Sequence, residues 1–216
     1  LRENEVYRLV GGVRTTIAGG PGARDTLAAG NGDGSRAVAA PLQGPGSVAF
    51  GKNGEVFIAE SGDGRVRRVD VAGYISTYTG NGTCVGGLGP PNPGAANATS
   101  LCGAQFIAGG TNGDLYIARQ GSAWIEVVDT SGQLRLFATG PRGDAMHFDQ
   151  AGDLIVGDDE GRLLRFDSHG RSTVIASGLG LIADFATAGD GSIYVLHWPE
   201  PHTAGRVNRI TKLSPG

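Results

Sequence analysis

An all-β chain of small antiparallel sheets repeated about an axis is predicted by three observations. A Gly-containing turn followed by an apolar strand occurs four times. Asn53-Gly54 precedes Val56-Phe57-Ile58-Ala59, and Asn112-Gly113 precedes Leu115-Tyr116-Ile117-Ala118. Ala151-Gly152 precedes Leu154-Ile155-Val156-Gly157, and Asp190-Gly191 precedes Ile193-Tyr194-Val195-Leu196. The register advances from Gly54 by 59, 39 and 39 residues. A period near 40 made of short strands is that of a β-propeller, in which four-stranded blades repeat radially. Glycine supplies 39 of 216 residues without a collagen period, as expected where many tight turns join apolar strands.

The elements follow in order. Glu5–Val10 and Val13–Ala18, joined at Gly11-Gly12, match the third and fourth strands of a blade. The first full copy places strand a at Ser47–Phe50, b at Glu55–Glu60, c at Arg65–Asp70 and d at Tyr74–Tyr78. Strand b is apolar at consecutive positions, the mark of a strand covered on both faces. Strand c is half polar and suits a place nearer the rim. The c–d turns Val71-Ala72-Gly73, Thr130-Ser131-Gly132 and Ser168-His169-Gly170 each carry a glycine, because hairpin turns need a residue that tolerates positive φ. The last copy offers Asp184–Thr187, Ser192–His197 and Arg206–Thr211.

The chain is thus read as a single propeller domain over 1–216. It comprises a partial blade 1–18, a connection 19–46, a blade 47–80 and an insert 81–103. Blades 104–140 and 144–178 and a partial blade 182–216 follow. About 17 strands are expected where a closed six-bladed ring needs about 24, which favours a partial ring over a smaller one closed by its own ends. The two long connections are rich in Gly, Pro, Ala and Asn, and such loops are usually functional or mobile.

Composition excludes several classes. A net charge of −3 gives no support for a nucleic-acid partner, and no apolar run is long enough to span a membrane as a helix. Cys84 and Cys102 bracket a segment poor in core-forming residues, and a bridge between them would stabilise by roughly 3 kcal/mol in the chain-entropy model. A bridge implies an oxidising compartment. Asn81-Gly82-Thr83 and Asn97-Ala98-Thr99 fit the glycosylation acceptor pattern beside it. An extracellular, cell-surface or periplasmic location is therefore expected.

From Ala29 onward the pattern becomes specific. Ala29-Gly30-Asn31-Gly32-Asp33-Gly34 leads through Pro45-Gly46-Ser47-Val48-Ala49-Phe50 to Glu55–Glu60, and then to Arg65-Val66-Arg67-Arg68-Val69-Asp70. This resembles the NHL-repeat β-propeller family, with weaker copies over nearly the whole chain. Strand b usually ends in Asp in that family, and here the positions hold Glu60, Arg119, Asp158 and His197. The resemblance implies a propeller fold. It also implies an enzymatic alternative, because some relatives are lyases, lactonases or esterases with a metal held by histidines at the channel.

For that alternative, a hydrolase or lyase, the metal ligands would be His147, Asp158 and His197, with Glu60 and Asp184 as further candidates. Such a site needs several His or carboxylates converging on one point, and no His-x-His or Glu-x-x-His spacing occurs. Asp158-Asp159-Glu160 could offer oxygen ligands to calcium, against the simpler reading of a solvated turn. Trp198 with Pro199 and Pro201 could form a rigid binding anchor. Zinc or calcium is thus a candidate cofactor, and no cofactor is the leading expectation. The leading functional expectation is a non-catalytic module that binds protein partners within a larger assembly. A periplasmic subunit of a membrane complex is a third reading.

Overall fold

The computed structural model describes residues 4–20, 31–83, 93–140, 142–198 and 209–214. Five separate antiparallel sheets account for its strands. The first is a hairpin of β1 (Val6–Val10) and β2 (Val13–Ala18). The second runs β3 (Pro45–Phe50), β4 (Val56–Glu60), β5 (Arg65–Val69) and β6 (Ile75–Thr79).

In the third sheet β8 (Ala104–Gly109), β9 (Leu115–Arg119), β10 (Trp124–Val128) and β11 (Gln133–Thr139) follow in order. The short β7 (Gly94–Ala95) is added outside β11. The fourth holds β12 (Gly143–Phe148), β13 (Leu154–Asp158), β14 (Leu163–Phe166) and β15 (Ser172–Ala176). The fifth holds β16 (Leu181–Thr187), β17 (Ile193–Trp198) and β18 (Arg209–Leu213).

The sheets fan out as propeller blades, as the repeat predicts. Their first strands β3, β8, β12 and β16 touch one another in sequence and form the inner wall. Each apolar core lies between two neighbouring sheets. Phe57 and Val66 meet Ile117 and Leu134 in one gap. Val127 and Tyr116 meet Val156 and Phe166 in the next. Ile155 and Leu163 meet Phe185 and Val195 in the third. This sandwiching explains the unbroken apolar strand b: every residue of β9 and β13 is buried.

The turn glycines are required by backbone geometry. Gly54, Gly113, Gly152 and Gly191 have φ of +87°, +97°, +85° and +80°, a region that costs a residue with a Cβ roughly 1 kcal/mol or more. Gly109 answers a different demand. A Cβ there would lie 2.1 Å from the Phe50 carbonyl oxygen, so only glycine lets β8 approach β3.

The segment between Cys84 and Cys102, expected to be poor in core residues, contributes to the core within its described part, and so does the earlier connection. Residues Ala37–Ala39 and Ala96–Ala98 form matching 3-10 turns. The Ala37 and Ala96 N–H groups donate to the carbonyls of Gly73 and Gly132, and their own carbonyls accept from Gly19 and Gly80. Ala37, Ala96, Leu42 and Leu101 are almost wholly buried. Each long connection is therefore a strap. Its described part ties the last strand of one sheet to the outer turn of the next. The apolar signal was weak because close approach at the rim selects alanine over larger side chains. Residues 21–30 and 84–92 lie outside the described part.

Candidate functional site

The inner strands line a cleft of about 690 Å³ at the centre of the fan. Side chains alternate along a strand, so each inner strand gives some residues to the gaps between sheets and others to the cleft. On β3, Ala49 is buried whereas Val48 and Phe50 are 51% and 76% exposed. On β12, Met146 enters the core beside Leu164, while His147 lines the cleft with half of its side chain exposed. On β16, Phe185 is buried and Asp184 lines the cleft.

His147 and Asp184 meet across the β12–β16 boundary. The imidazole Nε2 lies 3.3 Å from the Asp184 Oδ1. That oxygen also accepts the Phe185 N–H at 2.8 Å, which fixes the carboxylate. Phe185 packs its ring at 81° to the imidazole, with centroids 5.1 Å apart. In the neutral tautomer that pairs with an ionised carboxylate, which only accepts hydrogen bonds, Nε2 donates and Nδ1 is left with its lone pair. The arrangement can hold and move one proton at Nδ1, which is the function of a general base oriented by an acid.

The other sequence candidates do not join this pair. His147 pairs in register with Ile155, whereas Asp158 pairs with Gly143 at the other end of the hairpin. Asp158 is fully buried, and its oxygens are taken by the Arg162 guanidinium at 2.7 Å and by the N–H groups of Glu160 and Arg162. Arg162 also pairs with Glu160 at 2.9 Å and Arg142 lies 3.8 Å from Asp159, so two guanidiniums face the acidic cluster. His197 is buried with its Nε2 2.8 Å from the Thr211 hydroxyl. Among the described residues no group of three His, Cys, Asp or Glu could hold a metal. The ligand set expected for zinc does not fit, and no step is routed through it.

Glu60 is buried at the end of β4, where it pairs with Arg67 at 3.3 Å and accepts the Gln43 N–H. Burial raises its carboxyl above the usual range, and Arg67 opposes the shift. Arg67 in turn reaches Asp33 at 2.7 Å and the Asn31 carbonyl at 2.8 Å, pinning the strap.

The next sheet holds the same arrangement with its charges exchanged. Arg119 and Glu126, each 59 residues on, pair at 3.0 Å. Neither Glu126 oxygen has hydrogen-bond geometry to a described group, and burial pushes this carboxyl up to about 7 against the pull of Arg119. The 59-residue offset contained this correspondence, but the exchange of sign concealed it.

Trp198 closes β17 opposite Leu181 and is partly buried, while Pro199 and Pro201 lie outside the described residues. So does Cys84, the expected partner of Cys102. Asn81 and Asn97 are both exposed, and the Asn81 Oδ1 accepts from the Thr83 N–H and hydroxyl.

No protein-family model and no curated protein matches the chain. Solved structures do. Virginiamycin B lyase from Staphylococcus aureus, as a catalytically inactive His-to-Ala variant with quinupristin, matches with a TM-score of 0.53 and 12% identity over 79% of this chain. The PQQ-bound aldose sugar dehydrogenase from Streptomyces coelicolor gives 0.59 and 15% over 81%. A luciferin-regenerating enzyme gives 0.59 and 12% over 97%. The chain covers 55%, 61% and 71% of these structures, so it spans about half the length of the lyase.

Identity at this level establishes the propeller fold. The expectation of a non-catalytic assembly module is corrected at the same point: the three structures named are those of enzymes, so the comparison favours the catalytic alternative over it. That expectation rested on finding no catalytic constellation, while the enzymatic alternative set His147 with Asp158 and His197 rather than with Asp184 alone.

Proposed function

We propose that the chain builds the substrate cleft of a propeller enzyme, a lyase or hydrolase, in which His147 is the general base and Asp184 its positioning residue. One observation carries this reading. The pair stands on adjacent inner strands, about half exposed, in the cleft at the centre of the fan, where a catalytic site on such a fold is expected. The virginiamycin B lyase neighbour, which loses catalysis when a histidine becomes alanine, supports a histidine-dependent reaction on this architecture.

In an elimination, Nδ1 of His147 takes a proton from a carbon next to an electron-withdrawing group. The freed electron pair forms a double bond, the leaving group departs, and the imidazolium returns the proton to it. In a hydrolysis the same atom deprotonates water as it attacks a carbonyl. The tetrahedral intermediate then collapses with cleavage of the acyl bond, while the imidazolium gives its proton to the departing oxygen or nitrogen. Asp184 holds the tautomer and offsets the positive charge that develops on the ring.

The finer assignment of the repeats to the NHL type belongs to this proposal. So do the Cys84–Cys102 bridge and an extracellular or periplasmic setting, which intact mass under non-reducing conditions tests. For the reaction, the probes are quinupristin, 4-nitrophenyl acetate and γ-butyrolactone. With whichever is turned over, His147→Ala is expected to lower kcat by about 100-fold or more. Asp184→Asn is expected to lower it by roughly tenfold with little change in KM, as befits lost orientation. An active protein whose rate is indifferent to His147→Ala would sink the proposal.

A further inference from the structure

The cleft walls differ sharply in character. Gly46, Val48 and Phe50 of β3 bring exposed apolar surface and an uncovered backbone. Across from them stand His147 and Asp184, the latter with two-thirds of its side chain exposed. Among the described residues lining the cleft there is no lysine or arginine, and Asp184 is the one carboxylate. Recognition of a carboxylate or phosphate draws on arginine forks, lysines or helix N-termini, and these walls offer none. An anion entering here would lose hydration and meet the field of Asp184, with only the paired imidazole to oppose it. A neutral molecule with an apolar face loses little on entry and covers Val48 and Phe50, which water otherwise contacts. A volume near 690 Å³ lies within the range of small-molecule sites.

We infer that the cleft selects an electrically neutral substrate with an apolar body and one polar end. The body rests on Val48 and Phe50, the polar end faces His147 and Asp184, and carboxylate- and phosphate-bearing analogues are rejected. This inference rests on the catalytic reading for the place of the reacting end, but selection by charge is a property of the walls and is measured by binding alone.

The test uses two probes of nearly one shape, 2-naphthamide and 2-naphthoate, in equilibrium dialysis against the whole chain. The amide is expected to bind at least tenfold more tightly than the carboxylate. Val48→Arg, which places a cation on the apolar wall, is expected to bring the carboxylate to parity or beyond. Val48→Ala should weaken the amide without reversing the order. Equal or tighter binding of the carboxylate to the unaltered protein overturns the inference, as does failure of both probes to bind. The catalytic reading fails separately, through turnover that ignores His147→Ala while the binding order stands.

Discussion

At Glu126 a single residue sets a pH dependence for the whole protein. Its folded-state pKa of about 7 stands well above that of an unfolded glutamate, near 4.3. The folded chain therefore binds this proton more tightly. The resulting stability is fully present below about pH 4.5 and is lost as pH rises toward 7. A shift of this size corresponds to roughly 4 kcal/mol. Glu126→Gln removes the titration while keeping the shape. Between pH 5 and 8 the melting temperature of the native protein should fall by several degrees more than that of the variant, as read in paired thermal melts. The comparison is of slopes, because leaving Arg119 without its charge partner lowers the variant by a constant amount. Equal slopes would show that Glu126 is ionised throughout.

The sequence announced strands and turns well and rim packing poorly. Strand b was legible because a strand buried on both faces must be apolar at consecutive positions, as β9 and β13 are up to their last residues, Arg119 and Asp158. The hairpin glycines were legible because their positive φ leaves few alternatives. The straps were not, since Ala37 and Ala96 carry almost no hydrophobic signal yet are inaccessible.

The candidate site was half legible. His147 and Asp184 both stood out as candidates on inner strands, but only the order of contact β12–β16 brings them together, and a distance across two sheets has no signature in spacing. Val48 and Phe50 looked like ordinary strand residues until the curvature of the fan exposed them. The straps also make a prediction of their own. Leu42→Ala and Leu101→Ala should each cost about 2–5 kcal/mol by opening a cavity in an inter-sheet gap, measured by urea unfolding. A cost under 1 kcal/mol at both would mean that the straps merely lie on the surface.

The molecule as a whole is a stack in which each sheet leans on its neighbours, so its stability is close to a sum over gaps. β3–β6, β8–β11 and β12–β15 each contribute to cores on both sides, whereas the β1–β2 hairpin contributes Ala18 and Val6 to one. Tyr7, Leu9, Val10 and Val13 of that hairpin remain exposed. Amide exchange should therefore be slowest in β4, β9 and β13 and much faster in β1 and β2. Uniform protection across the chain would instead indicate a single cooperative unit.

The exchanged ion pairs also bear on how such a molecule acquires its blades. If Glu60–Arg67 and Arg119–Glu126 descend from one duplicated unit, no single codon change leads safely from one to the other. Replacing either member first leaves two like charges facing each other in a dry gap, at a cost of several kcal/mol. Exchanging β4 with β9, or β5 with β10, between the two blades would set like groups against each other in the same way. A repeat that began as a copy has become an individual with its own lock and its own key.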